Sequence, residues 1–277
     1  MMHGFIPSER FFAYLTWTDI DSMPNRENVV IIQPVGAIEQ HGPHLPLIVD
    51  AAINMGTIGK ALTYLDSSTP AYALPCLYYG KSNEHSHFPG TISLSSQSLS
   101  NILLDVAESV YQAGFRKLIF LNSHGGQPQI IEIVARDIHH KYPDFLVFPH
   151  FIWRAPNLAD QLLTPQELKY GIHAGDAETS ILLALLPNQV KIERAVKEYP
   201  QGLPENSLLT LEDDLPFAWL TQELSNSGII GDPTVASKEK GDILLESLAK
   251  SWAQVFQNVY EFRQPHQPQQ ALSNNTN

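Results

Sequence analysis

Cysteine is almost absent from this chain. The single thiol, Cys76, excludes an internal disulfide and a cysteine-built zinc site. It sits in the apolar run Ala73-Leu74-Pro75-Cys76-Leu77, which reads as strand, so it is expected to be a small core residue and not a nucleophile. Basic residues are also scarce: 17 Lys and Arg face 29 Asp and Glu, for a net charge of −12. Such a surface repels phosphate backbones and argues against nucleic acid as a partner. No apolar run approaches the length of a membrane span. The first ten residues lack a basic segment followed by an apolar stretch, so no signal peptide is expected and the cytoplasm is the default location. Internal repeats are lacking too.

What the chain has is apolar content. Hydrophobic residues make up 43% and charged residues 17%, which suits a globular protein with a sizeable core. The length, 277 residues, fits one domain, expected over 1–263, and the Gln/Asn/Pro-rich stretch 264–277 is expected to be a disordered tail. The β-branched run Val29-Val30-Ile31-Ile32, ending at Pro34 and Gly36, reads as a buried strand. Further strands are expected over 72–79, 117–121 and 145–148. Helices are expected over 50–65, 96–113, 129–140, 177–186 and 238–262, the last with Ile243, Leu244, Leu248, Trp252 and Val255 inward. Thr164-Pro165-Gln166-Glu167 has the form of a capping box. Residues 194–216 show little periodicity and several prolines, and read as an irregular lid or subunit contact. Strands alternating with helices predict a three-layer α/β/α fold with a mostly parallel central sheet. Ligands in such folds lie beyond the C-terminal ends of the strands, where the His- and Gly-rich segments of this chain fall.

Four segments carry chemistry. In the first, Glu39 and His41 are two apart, so in extended backbone their side chains point the same way, and Asp50 opens a helix after a Gly/Pro-bounded loop. A carboxylate, an imidazole and a second carboxylate at a strand end could form a divalent-metal cluster, or a polar loop with an Asp cap. The second runs from Gly80 to Thr91 and holds Ser82, His85 and His87; at most one of these histidines is expected to face the site, and His87 beside Phe88 reads as structural. The third, Asn122-Ser123-His124-Gly125-Gly126, brings an imidazole and bare backbone near a ligand, or is a glycine turn with an incidental His. The fourth, His173 to Ser180, reads either as a capped helix start or as a ligand, Glu178, with a proton donor, His173.

Taken together these segments resemble the creatininase (creatinine amidohydrolase) family. Glu-x-His-Gly-x-His-Leu-Pro before Asp50, Phe88-Pro89-Gly90-Thr91, Asn-x-His-Gly-Gly at 122–126, His-Ala-Gly-x-x-Glu-Thr-Ser at 173–180 and the Gly231 to Gly241 stretch follow the family's order over roughly residues 8 to 260. The resemblance implies two divalent ions, zinc, manganese or iron. Glu39, Asp50 and His124 would bind one, and His41, Asp50 and a further carboxylate the other. In creatininase that carboxylate lies two residues after the strand-three histidine; here that position is Gly126, and the role passes to Glu178. The resemblance further implies His173 as the catalytic histidine and Ser82, Gly125 and Trp153 as substrate contacts. It also implies a homo-oligomer, with a hexamer as one form, to which Phe217 and Trp219 would lend exposed aromatics. Gly125 and Lys169 stand where creatininase has Tyr and Trp, and their presence is expected to remove stacking walls. The expected activity is hydrolysis of a cyclic or small amide C–N bond by a hydroxide bridging the ions. Deformylases and small-peptide peptidases in the family use the same centre. A hydrolase of lactones or ring ketones, or a non-catalytic metal-binding module, would share the residues.

Overall fold

The computed structural model describes residues 2–202, 208–212 and 215–264. The expected tail therefore lies outside the described residues apart from Gln264, as do parts of the irregular 194–216 stretch. Four strands, β1 (Val30–Val35), β2 (Ala71–Ala73), β3 (Lys117–Asn122) and β4 (Leu146–Phe151), form one parallel sheet in the order β2-β1-β3-β4. The connecting helices are α1 (Trp17–Asp21), α2 (Val49–Thr63), α3 (Ser96–Gln112), α4 (Pro128–Lys141), α5 (Ala159–Leu162), α6 (Pro165–Tyr170), α7 (Asp176–Leu185), α8 (Thr221–Leu224) and α9 (Lys238–Glu261).

Alternation along the strands sorts the core into two layers. Val30, Ile32, Ile119 and Leu121 face α2, α7 and α9, whereas Ile31, Leu118 and Phe120 face α3 and α4. This is the expected three-layer α/β/α arrangement. The α7–α9 contact is close because position 241 is Gly: a Cβ there would meet the Ser180 carbonyl oxygen at 1.8 Å.

The local departures have local causes. The first strand does not end at Pro34 but runs through it. Pro34 accepts from the Leu77 N–H at 3.0 Å on the side where β2 has already stopped, so its missing N–H interrupts no ladder. The second strand is three residues long instead of eight, because the chain leaves the sheet at Leu74-Pro75. In α9 the buried stripe is Gly241, Leu244, Leu245, Leu248, Trp252, Phe256 and Val259. Ile243 is out of phase with it and exposed, against expectation. Thr164 does cap α6, accepting from the Glu167 N–H at 3.1 Å, but Glu167 does not complete a capping box. Its buried carboxylate instead accepts from the amides of Asp176 and Asp232 and from the Tyr199 hydroxyl, tying α6 to the start of α7. Cys76 is buried, and burial pushes its thiol up to about 12, which leaves it inert at neutral pH. Among the described residues, no helix is long and apolar enough to cross a membrane.

Candidate metal centre

The loops after β1, β2 and β3 and the start of α7 converge at the C-terminal edge of the sheet. Asn54 on α2 donates to the carbonyls of Val35 and Leu121, the ends of β1 and β3, at 3.1 and 2.7 Å. That clamp sets Asp50, one helical turn earlier, over the same edge. His124 is fixed by Asn122, whose side chain bonds both its N–H and its carbonyl, and Gln127 completes the turn on Asn122 Oδ1 at 2.9 Å.

The structure brings Glu39, His41, Asp50, His124 and Glu178 together. Glu39 Oε2 is 3.1 Å from His124 Nδ1, Asp50 Oδ2 is 3.9 Å from that nitrogen, and His41 Nε2 lies 3.7 Å from Glu39 Oε1 and 3.8 Å from Glu178 Oε2. Donor atoms of Glu39, His41 and Asp50 lie within 4.8 Å of one another, as do those of His41, His173 and Glu178. Ala174, held at φ +53°, aims its N–H at Glu178 Oε2 at 2.7 Å and so fixes that carboxylate over the cluster.

Electrostatics distinguish the members. Burial pushes the Glu39 carboxyl up, but the surrounding His124, His85 and His41 outweigh it and hold Glu39 well below the usual range. Asp50 is pushed well above its usual value by burial and by Glu39, and Glu178 up to about 8, first by burial. His41 is pushed down to about 3 by burial and by His173. Among the histidines of the cluster His124 alone is raised, because Glu39 and Glu84 outweigh its burial. Within the five-residue cluster two buried atoms, His41 Nε2 and Asp50 Oδ2, have no hydrogen-bond partner. Leaving such atoms unpaired costs about 1–3 kcal/mol each, and crowding carboxylates in a dry site adds to it. A divalent cation relieves both, and the mixed His/carboxylate donor set suits zinc, manganese or iron.

Above the cluster lies a cavity of about 230 Å³, lined by Glu39, Asp50, His124, Glu178, Gly125 and Trp153 among others. His173 also lines it, with Nδ1 3.8 Å from Glu39 Oε1. Ser82 is placed differently: it lies behind Glu39, donating to Oε2 at 2.5 Å, and is not among the described lining residues. Of the histidines left open, His85 enters the cavity, His87 is exposed, and His44 is buried against Thr179 Oγ1 at 2.8 Å.

Sequence reasoning missed Glu84 and Trp219. Glu84 Oε1 lies 3.0 Å from His124 Nε2 and fills the space where a Cβ at Gly126 would be, 1.8 Å away. The glycine two residues after His124 was the signal available for it. Trp219 is not an exposed aromatic but lines the cavity, edge-on to His85 at 6.2 Å between ring centroids. Aromatic walls are therefore present despite Gly125 and Lys169, supplied by Trp153, Trp219 and Phe151.

A parallel α/β/α sheet with buried imidazoles and carboxylates gathered at its strand ends defines a class: α/β enzymes with a candidate divalent-metal centre. The family model described as creatininase, creatinine amidohydrolase, matches residues 13–256. This chain belongs to the creatininase family of hydrolases. It is 28% identical over 250 residues to a creatinine amidohydrolase of Pseudomonas putida, covering 85% of this chain and 92% of that one. It is 31% identical over 219 residues to a mycofactocin precursor peptide peptidase of Mycobacterium ulcerans, covering 76% and 78%. A solved creatininase variant of Zn–Zn type superposes with a TM-score of 0.73 at 26% identity, covering 90% of this chain and 98% of that one.

Proposed function

We propose that this protein is a two-metal amidohydrolase that cleaves the C–N bond of a small or cyclic amide. The observation that carries the reading is the pair of buried, unpartnered donors, His41 Nε2 and Asp50 Oδ2, inside a ring of carboxylates and imidazoles facing a cavity. Glu39, Asp50 and His124 would hold one ion, and His41, Asp50 and Glu178 the other. Such a pair supplies an acidified water and a Lewis acid for the amide carbonyl. The chain's own residues do the rest. His173 anchors Nε2 on the Gln40 carbonyl at 2.7 Å, which leaves Nδ1 facing the cluster to take a proton from the water and pass it to the leaving nitrogen. Ser82 holds the Glu39 carboxylate in place. Gly125 lines the cavity next to His124 with the Glu212 carboxylate packed against it, 2.7 Å from where a Cβ would stand, and Trp153 and Trp219 wall the substrate off from water. The substrate is a small molecule, and the enzyme works as a homo-oligomer.

A second reading, a peptidase of small modified peptides, is favoured by the 31% identity to the mycofactocin precursor peptide peptidase. The test is elemental analysis of purified protein with a hydrolysis screen of creatinine, hydantoins, formamides and short peptides. Two metal equivalents per chain and release of amine from one of these is the expected result. Cleavage of the peptides alone would move the assignment to the second reading. Metal-free protein that binds no added zinc would end both.

A further inference from the structure

His85 and His173 stack in the cavity with ring centroids 4.0 Å apart and 27° between planes. The Gln40 side chain lies between their outer edges, and its contacts settle which nitrogen of each ring carries a hydrogen. His173 Nε2 is 2.7 Å from the Gln40 carbonyl oxygen, which only accepts, so that nitrogen is the donor and Nδ1 keeps its lone pair. Gln40 itself is oriented by two backbone groups. Its Oε1 accepts from the Gly42 N–H at 2.9 Å, and its Nε2 donates to the Gly228 carbonyl at 3.0 Å. Reversing the amide would set N–H against N–H and oxygen against oxygen. The remaining Gln40 hydrogen cannot go to His173 Nε2, 3.1 Å away, which is already a donor. Its acceptor is His85 Nδ1, at 2.9 Å. The Thr221 hydroxyl lies between that same nitrogen, at 2.8 Å, and the Glu84 carbonyl, at 2.9 Å. It does not reverse the assignment, because a hydrogen on His85 Nδ1 would collide with the Gln40 N–H. The hydrogen of His85 is therefore on Nε2, the nitrogen that points inward, 3.7 Å from Glu39 Oε1.

Both rings are thus the same tautomer but face the cavity with opposite polarity. His173 offers a lone pair and His85 offers an N–H. We infer that His85 is a further catalytic residue, donating from Nε2 to the substrate's carbonyl oxygen as negative charge builds there, and that Gln40 is the positioning residue that fixes both imidazoles. A donor held rigidly by neighbours in a water-poor site stabilises such an oxygen without reorganising. The contact with substrate rests on the amidohydrolase reading; the tautomers do not.

The test is long-range 1H–15N correlation of histidine-labelled protein near neutral pH. Both His85 and His173 are expected as Nε2–H tautomers. Gln40→Glu, which replaces the donor to His85 with an acceptor, is expected to convert His85 to Nδ1–H and leave His173 unchanged on its backbone carbonyl. His85 found as Nδ1–H or as imidazolium in the parent protein would overturn the inference without any variant. Acetate, the carboxylate that an N-acetyl amide leaves behind, probes the contact in zinc-loaded protein. Saturable movement of the His85 Nε2–H signal is expected, with acetate binding about tenfold or more weaker in His85→Phe at unchanged zinc content. No movement, or loss of zinc from His85→Phe, would refute the donor role. Should no amide be turned over while the tautomers and the acetate shift hold, the function proposed above fails and the donor assignment stands.

Discussion

Replacing Gly126 with alanine tests whether this centre is built as described. A Cβ at that position would lie 1.8 Å from Glu84 Oε1 and 2.6 Å from His124 Nε2. Glu84 can swing away, but only by giving up its 3.0 Å contact with His124. His124 has less freedom, because Nδ1 is 3.1 Å from Glu39 and its backbone is bonded on both sides by Asn122. Overpacking of this kind costs about 1–3 kcal/mol. In a chain of this size that lowers Tm by roughly 2–10 °C. Zinc affinity should fall about 10-fold, the low end of what removing a group that orients a ligating histidine costs, because the Lys81 carbonyl, 2.9 Å from the same nitrogen, remains. The assay is thermal denaturation of metal-free protein together with zinc titration against a competing chelator. A double-mutant cycle with Glu84→Ala isolates the Glu84 share of the clash: Gly126→Ala should cost less in the Glu84→Ala background than in the parent, by more than about 0.5 kcal/mol, with the 2.6 Å approach to His124 remaining in both. Unchanged Tm and zinc affinity in Gly126→Ala, or plain additivity in the cycle, would refute the reasoning.

Asp50→Asn should separate stability from metal binding: replacing a buried carboxyl whose ionised form burial and Glu39 disfavour leaves the metal-free Tm unchanged or higher, while zinc affinity drops about 100-fold or more. A lower Tm with zinc retained would show that Asp50 is an ordinary structural carboxylate. The Glu178 carboxyl, pushed up to about 8 from an ordinary 4.5, gives a pH dependence. Because the folded value is raised, its contribution to the stability of metal-free protein is full below the ordinary value and is lost as pH climbs through about 8. Zinc must displace that proton, and any held by Asp50 and His124, whose values are also raised, so its affinity should rise at least about tenfold per pH unit until about 8, with at least one proton released. Calorimetry in buffers of differing ionisation heat measures both, and a pH-independent affinity would remove Glu178 from the ligand set.

Much of this architecture was legible in local pattern. The helical periodicity over 96–113 lies in contiguous sequence and is observed as α3, and so does the Glu39-x-His41 spacing that points two donors one way. Strand length was less legible: β2 is short and β1 continues through Pro34 because of what the neighbouring strand does, which no window of one strand records.

By itself the sequence determined the layer order of the fold, the start of each long helix and four segments rich in donors, because periodicity, capping and short spacings are properties of neighbouring residues. Only the tertiary structure decided which of His85 and His87 enters the cavity, that Glu84 fills the void left by Gly126, and that Trp219 covers the site from far along the chain. Those outcomes depend on packing between segments forty to over one hundred residues apart, where the direction of a side chain is set by what it meets and not by what precedes it.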